Sequence, residues 1–251
     1  VLEVMSILNF YPDIVHLNDW HTGMIPLILK EKYSHSKKYK NIKTVYTIHN
    51  LQYQGVFSDS IIEDVLDIPR AYYNNGDIEY YGGVSFMKSG IVFSDKVIAV
   101  SPTYSNEIQT EFYGEGLDGL LKSKSHKLKG ILNGIDYDLN NPATDNAIFV
   151  NFDVNCIEKK LENKKKLQEI LGLEVNPDIP LVGIVSRLTS QKGLDLINYM
   201  MPEIMSENLQ MVVLGTGEHQ YQSMFNYYNS NFSHKLSARI TFDSAFAQQI
   251  Y

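Results

Sequence analysis

Short apolar runs recur along the chain, separated by polar stretches that carry glycine. The runs at 14–17, 44–48, 96–100, 130–132, 181–185, 211–214 and 239–242 predict strands. Several are continuous rather than alternating, as expected of parallel strands covered by helices on both faces. Helical patterns fill the intervals at 23–31, 102–112, 158–171 and 194–205. Ser101 followed by Pro102 marks one helix start, with a capping oxygen and a proline whose missing N–H costs nothing at the first helical position. This βαβ rhythm predicts an α/β fold of doubly wound parallel sheets. The stretch 136–145 is polar and turn-rich around Asn140-Asn141-Pro142 and reads as a linker. It divides the chain into residues 1–136 and 137–251.

Composition fits an ordinary globular protein: 251 residues, 44% hydrophobic and 20% charged. The net charge of −7 is shared by both halves, so no basic face awaits a phosphate backbone and nucleic acid is not an expected partner. No apolar run approaches the roughly 20 residues that span a bilayer, so no membrane partner is expected. Cys156, the single cysteine, can form neither an intramolecular disulfide nor a thiolate metal site, which fits a reducing, cytoplasmic setting. The cluster Lys164-Lys165-Lys166 reads as a solvated helix face. The opening Val1-Leu2-Glu3-Val4-Met5 is neither an initiator methionine nor a signal peptide, so a piece of a longer protein is expected. Nothing in the sequence speaks to oligomeric state.

In open α/β sheets ligands bind beyond the carboxyl ends of the strands. Four such ends are rich in functional groups. The first carries His16, Asn18, Asp19, Trp20 and His21. Asn18 and Asp19 either cap the next helix or orient a ligand-facing His21. A metal site of His16, Asp19 and His21 is disfavoured, because His16 lies inside the strand and need not converge with the others. The second end has His49, Asn50, Gln52, Tyr53 and Gln54, amides and a tyrosine suited either to sugar hydroxyls or to a structured loop. The third runs from Ser186 to Gly193. Arg187 and Lys192 there offer a planar fork and a mobile cation beside a helix N-terminus, a good clamp for a diphosphate. The fourth holds Gly215-Thr216-Gly217, which lacks the third glycine of the dinucleotide fingerprint and argues against a dehydrogenase.

Taken in order, these segments resemble bacterial glycogen synthases and plant starch synthases, which transfer glucose from ADP-glucose. The words are "NDWHTGMIPL", "TIHNLQYQGVF", "SFMKSGIVFSDKVIAVSPTYSNEI", "YGEGLDGLL", "ILNGIDYDLNNPATD", "ENKKKLQEILGL", "VSRLTSQKGLDLI" and "VVLGTGE", with a weaker continuation in "ITFDSAFAQQIY". The resemblance implies a GT-B glycosyltransferase with two Rossmann-like domains, retention of the anomeric configuration, and neither metal nor cofactor. Residues 1–136 would be the C-terminal part of the acceptor-side domain. Residues 137–251 would be the linker and the N-terminal part of the nucleotide-sugar domain. The implied partners are ADP-glucose and an α-1,4-glucan, in the cytoplasm or, in a plant or alga, the plastid.

Carried over residue by residue, His21, Arg187 and Lys192 are the implied catalytic residues. His21 would lie against the donor glucose, and Arg187 and Lys192 on the diphosphate. Asp19, Asn50, Tyr53, Gln54, Gly215 and Gly217 are implied substrate contacts. Asn133 would lie at the inter-domain sugar site, with Gly134 and Asp136 shaping the hinge turn. Phe242 occupies the place of an aromatic near adenine, although its neighbours Asp243 and Ser244 depart from the family pattern. Two further family words, Lys-x-Gly-Gly on the donor phosphates and Glu-Pro-x-Gly with the catalytic glutamate, do not occur in the sequence. The chain is therefore expected to be an internal part of such an enzyme, inactive alone. The alternatives are a related glycosyltransferase using UDP-glucose or another acceptor, and a non-catalytic nucleotide- or glucan-binding module.

Overall fold

The computed structural model describes residues 1–251. The chain divides into two compact units, Val1–Gly134 and Ile135–Tyr251.

In the first unit the elements run α1 (Leu2–Ile7), β1 (Ile14–Asn18), α2 (Ile25–Ile28), β2 (Lys43–Ile48), β3 (Val56–Ser58), α3 (Ala71–Asn74), β4 (Glu79–Tyr80) and β5 (Gly83–Ser85). They continue with α4 (Phe86–Phe93), β6 (Lys96–Ala99), α5 (Pro102–Glu107), α6 (Asp118–Ser123) and β7 (Leu128–Gly130). The main sheet is parallel in the order β1-β2-β6-β7. Its core gathers Leu17, Tyr46, Ile48, Met87, Ile91 and Ala99. Helix α4 approaches this sheet so closely that a Cβ on Gly90 would sit 2.4 Å from the Tyr46 ring. Serine oxygens start two of the helices: Ser85 Oγ accepts from the Lys88 N–H at 3.0 Å, and Ser101 Oγ from the Tyr104 N–H at 2.8 Å.

The second unit is α7 (Lys160–Leu171), β8 (Leu181–Val185), α8 (Leu194–Ser206), β9 (Gln210–Leu214), α9 (His219–Asn231), β10 (Leu236–Arg239) and α10 (Ser244–Ile250). Its three strands are parallel in the order β10-β9-β8. Strand β9 is buried along its whole length and alternates its side chains between two cores. Met211 and Val213 pack with Met201, Met205, Tyr221 and Phe225, while Val212 and Leu214 pack with Leu167 and Phe246. Helices thus cover both faces, as continuous apolar strands require. No helix in either unit is long and apolar enough to cross a membrane.

Several expected boundaries move. Strand 130–132 is instead Leu128–Gly130, with the Ile131 N–H still reaching the Ala99 carbonyl at 2.9 Å. Strand 239–242 is Leu236–Arg239, because Asp243 Oδ1 already caps α10 through the Phe246 N–H at 2.9 Å. The helix expected to reach residue 112 ends at Glu107. The 23–31 helix begins at Ile25 and passes into a π-helical turn, Leu29–Tyr33. The 181–185 strand lies at the edge of its sheet, with Val182 40% exposed, so its apolar run does not mean full burial. An antiparallel sheet, β3-β5-β4, was not expected, because strands of two or three residues are too short to show a period. From Asp136 the chain follows turns, with Asp136 Oδ1 accepting from the Asp138 and Leu139 N–H groups at 3.0 and 2.9 Å.

Candidate functional site

In the first unit the loops that follow β1 and β2 are tied to each other. The Asp19 N–H continues the ladder onto the Thr47 carbonyl at 3.0 Å, after which the backbone turns into the left-handed region at Asp19, with φ of 54°. Asp19 Oδ1 accepts from the His49 N–H at 2.8 Å, and His49 Nε2 pairs with Asn18 Oδ1 at 2.9 Å. Thr22 Oγ1 donates to the Asn18 carbonyl at 2.9 Å. Asp19 therefore braces the two strand ends. His16 is spent within the sheet, its Nε2 on Thr47 Oγ1 at 2.7 Å. No three His, Cys, Asp or Glu side chains are grouped to hold a metal ion.

His21 projects from the short turn Trp20–Thr22 and is exposed. Its ring stacks on Trp20, with centroids 3.9 Å apart and planes at 27°. Trp20 in turn lies against the backbone of Gly55, where a Cβ would fall 2.3 Å from Trp20 Cε3 and φ is +59°. Only glycine fits there, so the "QYQG" word serves to seat the tryptophan that orients His21.

Gln54 lines the cleft of this unit but is only 6% exposed, and Nε2 donates to the Glu115 carbonyl at 2.8 Å and to Tyr80 Oη at 3.3 Å. Burial raises the Tyr80 phenol's pKa, so it stays protonated and donates to the same Glu115 carbonyl at 2.6 Å. These bonds make Gln54 a brace between two loops. Tyr53 is 44% exposed, and Asn50 Oδ1 accepts from the Gln52 N–H at 3.0 Å. A cleft of about 440 Å³ opens among Trp20, Tyr53, Phe57, Tyr80 and Glu115. His21, Asn50 and Asn133 lie outside its lining, and Asn133 is exposed in the segment after β7. Sequence reasoning gave no role to Trp20 or Glu115, although both lie inside the family words, and it passed over Tyr80, which lies in none.

In the second unit the loops after β8 and β9 run side by side. The Leu188 N–H donates to the Thr216 carbonyl at 2.9 Å, and the Glu218 N–H to the Leu188 carbonyl at 2.8 Å. Both glycines are required by this approach: a Cβ on Gly215 would meet the Ser186 oxygen at 1.9 Å, and one on Gly217 the Leu188 oxygen at 2.2 Å. Glu218 Oε1 accepts from the Ser190 N–H at 3.2 Å, fixing the turn that carries Lys192. Gly193, with φ of 69°, then opens the 13-residue α8, which has no side-chain cap and so leaves its first N–H groups for an anion.

Arg187 and Lys192 are exposed, and neither takes part in any of the ion pairs of the protein. A cleft of about 320 Å³ at the carboxyl ends of the strands is lined by Arg187, Gly215, Thr216, Phe242 and Tyr251. It brings Arg187, Gly215 and Phe242 together, while Lys192 and Gly217 stand outside its lining. Phe242 is 88% exposed, a ring free to stack on a planar ligand. Two cations without partners, close-approach glycines, an uncapped helix and a free aromatic ring suit a nucleoside diphosphate.

Two units with parallel sheets, each carrying functional loops at strand ends, define the architecture of a GT-B glycosyltransferase. Residues 1–123 match the starch synthase catalytic domain family. The chain is 70% identical over 251 residues to the glycogen synthase of Clostridioides difficile strain 630, covering all of this chain and 52% of that protein. It is 52% identical over 252 residues to the glycogen synthase of Clostridium novyi strain NT, covering 53% of that protein. It superposes with a TM-score of 0.92 and 33% identity on the catalytic domain of starch synthase IV from Arabidopsis thaliana bound to ADP and acarbose, covering all of this chain and 52% of that one. Over its whole length the chain is similar to glycogen and starch synthases. It spans about half the length of the curated relatives it matches.

Proposed function

We propose that the protein, at the length of its relatives, transfers glucose from ADP-glucose to the non-reducing end of an α-1,4-glucan with retention of configuration. The observation that carries this reading is the cleft joining Arg187, Gly215 and Phe242, in a chain 70% identical to a glycogen synthase. Arg187 and Lys192 hold the diphosphate, Gly215 and Gly217 let the backbone come close to it, and Phe242 covers the adenine. As the bond from glucose C1 to the diphosphate oxygen lengthens, negative charge grows on the departing ADP. The two cations act most strongly there, which is where electrostatics speeds a reaction. The glucan 4-hydroxyl attacks the oxocarbenium-like sugar from the face that ADP leaves and gives its proton to the departing diphosphate oxygen, and His21, held by Trp20, hydrogen-bonds a glucose hydroxyl.

The natural-length protein, given maltooligosaccharides, is expected to elongate them with ADP-glucose at least about tenfold faster than with UDP-glucose, a difference of ~1.4 kcal/mol in barrier. The reverse preference would assign it to a UDP-glucose enzyme, and no transfer from either donor would leave a binding module. The 251-residue chain by itself is expected to transfer nothing measurable. It contains neither Lys-x-Gly-Gly nor Glu-Pro-x-Gly, and catalytic groups that act as a unit fail as a unit.

His21→Ala in the natural-length protein should lower kcat/KM by a factor matching about 1–3 kcal/mol, the cost of an unsatisfied hydrogen bond in a closed site. ADP affinity should hardly change. A large fall in melting temperature with normal turnover would instead make His21 a packing partner of Trp20.

A further inference from the structure

The loops after β8 and β9 meet through a side chain as well as through their backbones. Glu218 stands just before α9, where a short polar side chain would fold back onto the free N–H groups of the helix. Glutamate is one methylene longer than the aspartate such positions favour, and its carboxylate makes no bond to its own helix. It crosses instead to the loop after β8. Oε1 accepts from the Ser190 N–H at 3.2 Å, and Oε2 accepts from Gln220 Nε2 at 2.9 Å, which fixes the side chain in that direction. The backbone of Glu218 is held too, its N–H on the Leu188 carbonyl at 2.8 Å.

The bond lands where it matters for Lys192. Leu188 is buried and anchors the first half of the loop in the core. Beyond it the chain turns through Ser190–Lys192. There the Lys192 N–H donates to the Thr189 carbonyl at 3.0 Å, and the Gly193 N–H to the Ser190 carbonyl at 2.9 Å. These two bonds shape the turn from within, whereas the bond from Ser190 to Glu218 ties it to a loop 28 residues further on. Lysine carries its charge on a flexible four-carbon stem, so the place of its backbone decides what the ammonium can reach. Glu218 fixes that place without neutralising the cation, since Lys192 takes part in none of the ion pairs.

We propose that Glu218 is a positioning residue for the diphosphate clamp: its carboxylate, bonded to the Ser190 N–H, holds the turn that aims Lys192. That a diphosphate is what Lys192 meets rests on the glucosyl-transfer reading above, whereas the tie itself rests on the hydrogen bonds. A group that acts through another has a signature. Its loss is felt while the other is present and vanishes once the other is gone.

The test is Glu218→Ala, Glu218→Gln, and Glu218→Ala combined with Lys192→Ala, all in the natural-length protein. Each is read first by calorimetric ADP binding with neither donor nor acceptor present, then by glucosyl transfer. Glu218→Ala should weaken ADP binding about 3- to 10-fold and lower kcat about 10-fold, the scale of one lost hydrogen bond to a charged acceptor. KM for glycogen should not move, and the melting temperature should hardly change, because Glu218 is partly exposed. Glu218→Gln keeps an oxygen for the Ser190 N–H and should bring both readings back to within about twofold of the parent. In the Lys192→Ala background, Glu218→Ala should cost no further ADP affinity or turnover. Parental ADP binding and kcat in Glu218→Ala would overturn the inference, as would Gln performing no better than Ala, or an undiminished further loss when Lys192 is absent. A melting temperature lowered by more than about 5 °C in Glu218→Ala would also overturn it, making Glu218 a brace of the fold. If ADP binding follows the expected pattern in a protein that transfers no glucose, the proposed function falls and the role of Glu218 stands. If the parent transfers glucose and Glu218→Ala equals it, the role falls and the function stands.

Discussion

Replacing Arg187 or Lys192 with alanine is expected to lower kcat for glucosyl transfer about 100- to 1,000-fold. The magnitude is that of removing one preorganised donor from a developing oxyanion, about 2.7–4 kcal/mol. Both side chains are free to act: each is exposed and outside every ion pair, and Arg187 lines the cleft that also holds Phe242. The fold should not notice, because surface substitutions away from caps and networks usually shift stability within about 0.5 kcal/mol. Turnover, donor KM and melting temperature measured together check this. A change confined to acceptor affinity would remove both cations from the diphosphate.

Gly215→Ala is expected to be the most damaging small substitution in the second unit. The added Cβ would fall 1.9 Å from the Ser186 carbonyl oxygen, and backbone cannot rotate away as a side chain can. Relief requires separating the ends of β8, β9 and β10, which are held by Ser186 N–H to the Leu214 carbonyl and Gly215 N–H to the Arg239 carbonyl, both at 3.2 Å. Overpacking of this kind costs about 1–3 kcal/mol, and a backbone clash lies at the upper end, so the melting temperature should fall by about 5–10 °C. ADP affinity should fall with it, because Gly215 and Arg187 line one cleft. A Gly119→Ala control, at a position with nothing within 4 Å, should do neither. Unchanged melting and ADP binding in Gly215→Ala would show that the strand ends can part without cost.

Much of the candidate site was legible because its parts are local. Arg187, Lys192 and Gly193 lie on one short strand-to-helix loop, so chain order alone brings them to the end of β8. Asp19 and His21 are likewise read from the turn that follows β1. Direction was not legible. Gln54 has the amide expected of a sugar contact and lines the cleft, but its Nε2 is committed to a carbonyl 61 residues away. The use of Asp19 as a brace depends on His49, on the loop that follows β2.

The sequence by itself determined the α/β class, the position of the candidate loops at strand ends, and the family resemblance, because each depends on periodicity or on words contiguous in the chain. Only the tertiary structure decided which residues converge. Phe242 joins Arg187 because β10 and β8 flank the same central strand, and β8 became an edge through the sheet order β10-β9-β8. The antiparallel sheet β3-β5-β4 is made of strands too short for any period to reveal. Strand order, side-chain direction and backbone strain are set by contacts between residues distant in the chain, and local pattern carries no information about those.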